Sequence, residues 1–183
     1  MDDLKDIVNE SKKNPQAFAK IYELFFDKIY GYVYYKIGIV AEAEDISEQV
    51  FLKALEGIGN FEWKGVPFSS WLFRIASNLV VDYFRKKNKL STVPIEEQAY
   101  KIADNRRDTE DMINLKLSFK TAQKAICKLS EDQQNVVILK FLNGFSNAEI
   151  AGVLGKTEGA VKSIQHRALN SLRKALKGEL LNE

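Results

Sequence analysis

The sequence predicts an all-α protein built from two small helical domains joined by an acidic linker. Apolar residues recur at helical intervals along most of the chain, and the alternating pattern of a strand never runs for long. Glycine and proline number only 10 and 3 among 183 residues, so long helices are seldom interrupted. Residues 90–111 lose the periodicity and hold six acidic residues against three basic ones. That composition predicts a linker between domains at 1–89 and 112–183.

Three helices are predicted in the first domain. Asn14 and Pro15 form a cap and first-turn pair, and the helix that follows them ends at Gly38. The second helix covers residues 41–58, and the third starts at Phe68 after a turn-rich loop and ends in a cationic run. The apolar side chains expected to form the core are Phe18, Ile21, Phe25, Ile29, Tyr32, Val33, Ile46, Val50, Phe51, Ala54, Leu55, Phe68, Trp71, Leu72, Ile75, Ala76, Leu79 and Tyr83.

The second domain contains a helix-turn-helix pattern at residues 146–164. Ser146 and Glu149 have the spacing of a capping box, and Gly155 can adopt the left-handed conformation that a tight turn needs. Thr157 then caps a longer helix. The residues expected to face the core are Ile150, Ala151 and Leu154 on the first helix and Val161, Ile164, Ala168 and Leu172 on the second. An ordinary helical hairpin shares some of these features, but their order favours a DNA-reading motif.

The longer helix is cationic, which supports contact with DNA. From Gly159 to Gly178 the chain has no acidic residue, although the net charge of the protein is only +2. The helix dipole alone favours basic residues near a helix end, but it does not explain Lys162 and Arg167 near the start. A cationic face of this kind suits a phosphate backbone. For His166, the only histidine, a DNA contact and an ordinary surface position both remain open.

Composition argues against several classes of protein. Cys127 is the only cysteine, so no internal disulfide can form, as expected in a reducing cytosol. The chain has no phosphate-binding glycine loop, no metal-ligand spacing and no nucleophile beside a base, so we predict no catalytic residue, metal or cofactor. The acidic N-terminus is no signal peptide, and no run reaches the roughly 18 apolar residues of a membrane span. We expect a cytoplasmic protein without membrane insertion.

Three stretches of sequence carry a resemblance to a known family. They are AEDISEQVFLKAL at 43–55, FSSWLFRIASNLVVDYFRKK at 68–87 and LSEDQQNVVILKFLNGFSNAEIAGVLGKTEGAVKSIQHRAL at 129–169. In this order they resemble the bacterial sigma-70 factors, in particular the compact extracytoplasmic-function (ECF) type that keeps only conserved regions 2 and 4. The loop between Phe61 and Phe68 departs from the usual family loop, because it is one residue longer and contains Pro67.

The resemblance implies a factor that gives core RNA polymerase its promoter choice and associates with the nucleoid during initiation. The positions matching polymerase contacts are Asp45, Gln49 and Leu52. Those matching contacts to the melted minus-ten strand are Arg74, Asn78, Asp82, Arg85 and Lys86. Those matching contacts to the duplex minus-thirty-five element are Thr157, Glu158, Gly159, Lys162, Ser163, His166 and Arg167. An anti-sigma factor is a further candidate partner.

Two other functions stay open at this stage. A two-domain helix-turn-helix regulator that is not a polymerase subunit would explain the C-terminal half of the chain. It would not explain an acidic helix followed by an aromatic, cationic one. A recombinase-like enzyme would need a Ser, Tyr or carboxylate active site, and the tyrosines here lie on apolar stripes.

Overall fold

The computed structural model describes residues 2–63, 65–90 and 121–180. These residues form helices and connecting turns with no strand among them, which confirms the all-α prediction. The chain divides into two compact units, Met1–Gln98 and Ala99–Glu183, and the described residues of each are mainly helical. Apart from Leu90, the predicted linker at 90–111 lies outside the described residues, as do residues 112–120 of the predicted second domain.

The first unit contains four helices: α1 (Asp2–Ser11), α2 (Phe18–Ile37), α3 (Val40–Gly57) and α4 (Phe68–Leu90). Helices α2, α3 and α4 pack on one another, and α1 packs on α2. Helix α1 was not predicted from the sequence. Half of the residues of this short helix are charged, and although it buries Val8 completely it has too few apolar residues to show a clear period.

The residues at both ends of α2 form the caps that the sequence predicts. The Asn14 side-chain oxygen accepts a hydrogen bond from the Gln16 amide at 3.1 Å. Pro15 opens a single 3₁₀ turn, Pro15–Ala17, so the α-helix itself begins at Phe18. Gly38 ends the helix with φ of 76°, and its amide donates to the Tyr34 carbonyl at 2.8 Å. A residue with a side chain would be strained at that φ.

The core of the first unit agrees with the prediction on α2 and differs on the other two helices. All six predicted residues of α2 are buried, as are four of the five on α3, but Leu55 is 37% exposed. The buried apolar residues of α4 are Phe68, Leu72, Phe73, Ala76 and Val80. The predicted core residues Trp71, Ile75, Leu79 and Tyr83 are only half-buried, because α4 packs against both α2 and α3 and presents a face rotated from the predicted one.

The second unit holds the helix-turn-helix. Residues 121–127 form the described part of α5, followed by α6 (Glu131–Val137), a π-helical turn (Ile138–Leu142), α7 (Asn147–Leu154) and α8 (Glu158–Leu180). Helices α6 and α7 both pack on α8. Ile150, Val161, Ile164 and Ala168 are buried as predicted. Ala151, Leu154 and Leu172 are half-buried, and Val153 takes the core position of α7 instead.

The predicted start and end of α7 are confirmed. The Ser146 amide donates to the Glu149 carboxylate at 2.8 Å, and the Glu149 amide donates to the Ser146 hydroxyl at 3.2 Å. This reciprocal pair is a capping box. Gly155 ends the helix in the left-handed conformation with φ of 62°, which turns the chain toward α8.

Replacing Ser146 by Ala should lower the free energy of unfolding by about 1 kcal/mol, because an amide at the start of α7 loses its acceptor. Urea denaturation followed by circular dichroism measures the change. Ser146→Thr is the matched control, since it keeps the hydroxyl oxygen, and it should lose much less. Equal losses in the two variants would show that the capping oxygen is not the cause.

Candidate nucleic-acid and protein interfaces

Helix α8 is positioned at its N-terminus by a cap and by an ion pair. The Ala160 amide donates to the Thr157 hydroxyl at 3.2 Å, so Thr157 caps the helix as predicted. In the preceding turn, Lys156 Nζ lies 3.0 Å from Asp132 Oδ2 on α6, with the side chains 32% and 49% exposed. Such a solvent-accessible pair contributes about 0–1 kcal/mol, and it also links the turn to α6.

The first turns of α8 present one polar surface, which we call the recognition face. All of its residues are exposed, whereas Val161, Ile164 and Ala168 face the core. The structure therefore brings together the complete set predicted for duplex DNA. The recognition face consists of Thr157, Glu158, Gly159, Lys162, Ser163, His166 and Arg167.

The polar groups of the recognition face contact one another and the neighbouring Asn170 along the helix. Lys162 Nζ lies 3.3 Å from Glu158 Oε1. Arg167 Nε donates to the Ser163 carbonyl at 3.4 Å, and His166 Nδ1 lies 3.4 Å from Asn170 Nδ2. Because these contacts are exposed to water, replacing them by contacts with a ligand requires little free energy.

Gly159 is an exposed residue within the recognition face. A Cβ atom added there would meet nothing within 4 Å, so the protein's own packing does not require a glycine at this position. Glycine in a helix costs about 1 kcal/mol relative to alanine.

A second polar surface runs along α4, and we call it the α4 face. Its members are all exposed, and the steps of four residues from Arg74 to Asn78 and then to Asp82 place these three side chains on one side of the helix. Arg85 Nη1 lies 3.1 Å from Asp82 Oδ1, with the side chains 65% and 52% exposed. The α4 face consists of the five predicted residues Arg74, Asn78, Asp82, Arg85 and Lys86.

An aromatic cluster that the sequence analysis did not single out adjoins the start of α4. Phe61 is buried among Trp63, Phe68 and Trp71, with ring centroids 5.1 to 5.2 Å from its own. Trp63 in the loop is 37% exposed. Phe61 and Trp63 stand close together in a glycine- and proline-containing loop, which was an available signal. The loop was noted from the sequence for its departure from the usual family loop, but not for these two rings.

A third surface lies on α3, and we call it the acidic face. The predicted residues Asp45, Gln49 and Leu52 are exposed and follow one another at intervals of four and three, so they form one stripe. Glu44 and Glu48 are exposed beside them. Leu52 is 57% exposed, so this stripe combines carboxylates with a large apolar side chain.

Two tyrosines lie near carboxylates of α3. Burial raises the pKa of Tyr30 above its ordinary value, and the carboxylate of Glu44 raises it further. Burial and the carboxylate of Glu42 do the same for the pKa of Tyr83 on α4. Both side chains therefore remain uncharged at neutral pH, and the negative charge of this region comes from the carboxylates alone.

In residues 2–63, 65–90 and 121–180 there is no group of three His, Cys, Asp or Glu side chains that could hold a metal ion. None of the helices in those ranges is long and apolar enough to cross a membrane.

Comparison with known proteins identifies the family. A sequence model of sigma-70 region 2 matches residues 21–90, and one of sigma-70 region 4 matches residues 120–172. The ECF RNA polymerase sigma factor SigW of Bacillus subtilis is 35% identical over 183 residues, which cover 95% of this chain and 97% of SigW. This chain belongs to the ECF RNA polymerase sigma factors.

Other members of the sigma-factor family agree with this assignment. The ECF sigma factor BldN of Streptomyces coelicolor is 39% identical over 160 residues, covering 87% of this chain but only 60% of BldN. The fold resembles that of the sigma factor RpoE from Bartonella quintana, solved with the anti-sigma factor NepR, with a TM-score of 0.70 and 27% identity. That match covers 87% of this chain and 96% of RpoE.

The two sigma regions contain all three surfaces. The acidic face and the α4 face lie within the region 2 match, and the recognition face lies within the region 4 match. A helix-turn-helix regulator outside the polymerase is not favoured, because both sigma regions match in the family's order. The roles of individual residues on each surface remain predictions.

Proposed function

We propose that this protein is an alternative sigma factor that binds core RNA polymerase and directs transcription initiation at specific promoters. The supporting observation is that regions 2 and 4 occur in one chain and that each exposes every residue that we predicted for it. The proposed division is region 2 at 1–89, a linker at 90–111 and region 4 at 112–183. The protein supplies binding and selection, while the polymerase carries out the chemistry.

The acidic face is the proposed polymerase contact. Carboxylates repel DNA but attract a basic protein surface, which gives specificity and speeds encounter. Leu52 adds an apolar side chain that can be buried in a partner groove, where most interface binding energy arises. Asp45 and Gln49, one turn apart, flank it with charge and hydrogen-bonding groups.

The α4 face is proposed to hold the melted minus-ten strand. The Asn78 amide can donate to and accept from an unpaired base edge, while Arg74 and Lys86 are suited to phosphates. Asp82 orients the Arg85 guanidinium through their 3.1 Å contact. Aromatic stacking returns ~1–3 kcal/mol per base, which is comparable to the cost of unstacking it. Strand capture can therefore stabilise an opened promoter once the polymerase adds further contacts.

The recognition face is proposed to read the minus-thirty-five element in the major groove. Lys162 and His166 are one helical turn apart and can reach base edges, while Arg167 contacts a phosphate. Glu158 either holds Lys162, as in the free protein, or accepts from a cytosine amino group. The absence of a side chain at Gly159 lets the DNA backbone come close to the helix.

Two further features follow from the proposed function. A protein of the anti-sigma class is a proposed regulator, since a similar sigma factor is known in complex with one. The proposed place of action is the bacterial cytoplasm, on polymerase associated with the nucleoid.

The isolated protein should bind duplex promoter DNA weakly, and core polymerase should increase promoter-specific affinity by about tenfold or more. The sequence carries acidic residues at 42–48 and 96–111 as well as two basic clusters, at 85–89 and 162–177, so we expect the free chain to screen its own cationic surfaces. Fluorescence anisotropy with labelled promoter DNA, at one fixed salt concentration, measures both affinities. Core polymerase alone and a scrambled promoter are the controls. Equal affinity with and without core polymerase would count against the proposal.

A further inference from the structure

The end of α1 is joined to the loop before α4 by a charged side chain. Lys12 Nζ donates to the carbonyl oxygen of Phe61 at 2.6 Å, across 49 residues of sequence. The same ammonium lies 5.8 Å from the centroid of the Phe61 ring. A hydrogen bond from a charged donor is shorter and stronger than a neutral one, and the cation–π contact adds to it. Lys12 thus restrains both the backbone and the ring of Phe61.

Phe61 is the centre of the aromatic cluster at the start of α4. Its ring is perpendicular to that of Phe68, at 5.2 Å, and tilted by 48° against that of Trp71, also at 5.2 Å. The Trp63 ring meets it at 5.1 Å and 78°. Phe68 and Trp71 belong to α4, whose next turns carry Arg74 and Asn78. The exposed Trp63 therefore packs on a ring that also contacts the first turn of α4.

We infer that Lys12 is a positioning residue for minus-ten recognition, acting through Phe61. The inference rests on the proposed function of the α4 face. By fixing Phe61, Lys12 holds Trp63 beside the path of the melted strand and limits the conformations of the loop. A loop held in one conformation discriminates between bases better than one that samples several, because a mobile loop can adapt to the wrong base. Lys12 itself contacts no DNA.

The test replaces Lys12 by Met, which keeps the length of the side chain and removes the ammonium. Transcription with core polymerase from a promoter library randomised in both elements gives separate base preferences for each. Lys12→Met should reduce discrimination in the minus-ten element by about fivefold to tenfold. Preference in the minus-thirty-five element should be unchanged. A general loss of folding would weaken both elements together, so the separation of the two readouts distinguishes positioning from stability.

Two further variants complete the design. Lys12→Arg keeps a charged donor that can reach the Phe61 carbonyl, and it should restore most of the minus-ten discrimination. Lys13→Met removes the same charge from the next, exposed position and should leave both preferences intact.

The inference is overturned if Lys12→Met keeps the wild-type minus-ten preference, if it weakens both elements equally, or if Lys12→Arg is as defective as Lys12→Met. Failure of the proposed function looks different, because the wild-type protein would then direct no promoter-specific transcription with core polymerase.

Discussion

Asp45→Lys should reduce the affinity for core RNA polymerase by more than about a hundredfold. Asp45 is exposed on the acidic face, one turn before Gln49 and two turns before Leu52. Placing a cation there sets like charge against a basic partner, a mismatch that costs on the order of several kcal/mol. The side chain takes no part in the core, so the first unit should fold normally.

Pull-down with core polymerase and titration by anisotropy measure the loss. Asp27→Lys is a matched control, because it makes the same charge reversal at an exposed site on α2. Duplex binding by the recognition face should be the same in both variants and in the wild-type protein. Undiminished polymerase binding by Asp45→Lys would remove Asp45 from the proposed interface.

The features predicted best from the sequence are those with local causes. The capping box of Ser146 and Glu149, the left-handed Gly155 and the Thr157 cap each depend on residues within one turn of the chain. The same holds for the exposure of the recognition face, since helical periodicity separates it from the buried Val161, Ile164 and Ala168. Local physics is thus sufficient to outline the helix-turn-helix.

The features that were missed depend on distant parts of the chain. Helix α1 is stabilised by packing of Val8 on the rest of the unit rather than by its own propensity. The buried face of α4 includes Phe73, whose ring packs edge-on against Tyr32 of α2 at 5.6 Å. The contact of Lys12 with Phe61 spans 49 residues and has no periodic signal. These outcomes are decided by which helices meet, and single-sequence patterns do not contain that information.

The assignment of each surface to a ligand depended on residue chemistry and on the resemblance to sigma factors. Residue chemistry alone indicated DNA for α8. The carboxylates of α3 on their own favoured an ordinary solvated face, and the polymerase contact came from the resemblance to sigma factors. The distinction between duplex and melted DNA came from the resemblance to sigma factors, because Asn78 and Lys162 carry groups that can serve either. Variants that separate the two elements of the promoter are therefore the most informative test of the residue assignments.

Lys162→Ala should change base preference in the minus-thirty-five element and leave the minus-ten preference intact. Lys162 is exposed one turn after Glu158 and one turn before His166, so it can reach the major groove with either neighbour. A good base contact is worth ~1–3 kcal/mol of discrimination. Asn78→Ala should have the converse effect, blunting minus-ten discrimination and slowing promoter opening, because the amide is proposed to meet an unpaired base.

Lys174→Ala serves as the control for loss of charge. Lys174 is exposed on α8 beyond the recognition face, so its removal should change neither preference and should lower the salt sensitivity of binding only slightly. Run-off transcription from a randomised promoter library reports both preferences, and permanganate footprinting reports opening. If Lys162→Ala alters minus-ten preference, or Asn78→Ala alters minus-thirty-five preference, the two residues have been assigned to the wrong surfaces. The sigma-factor family would stand even then, since it rests on the matches over both regions rather than on these two side chains.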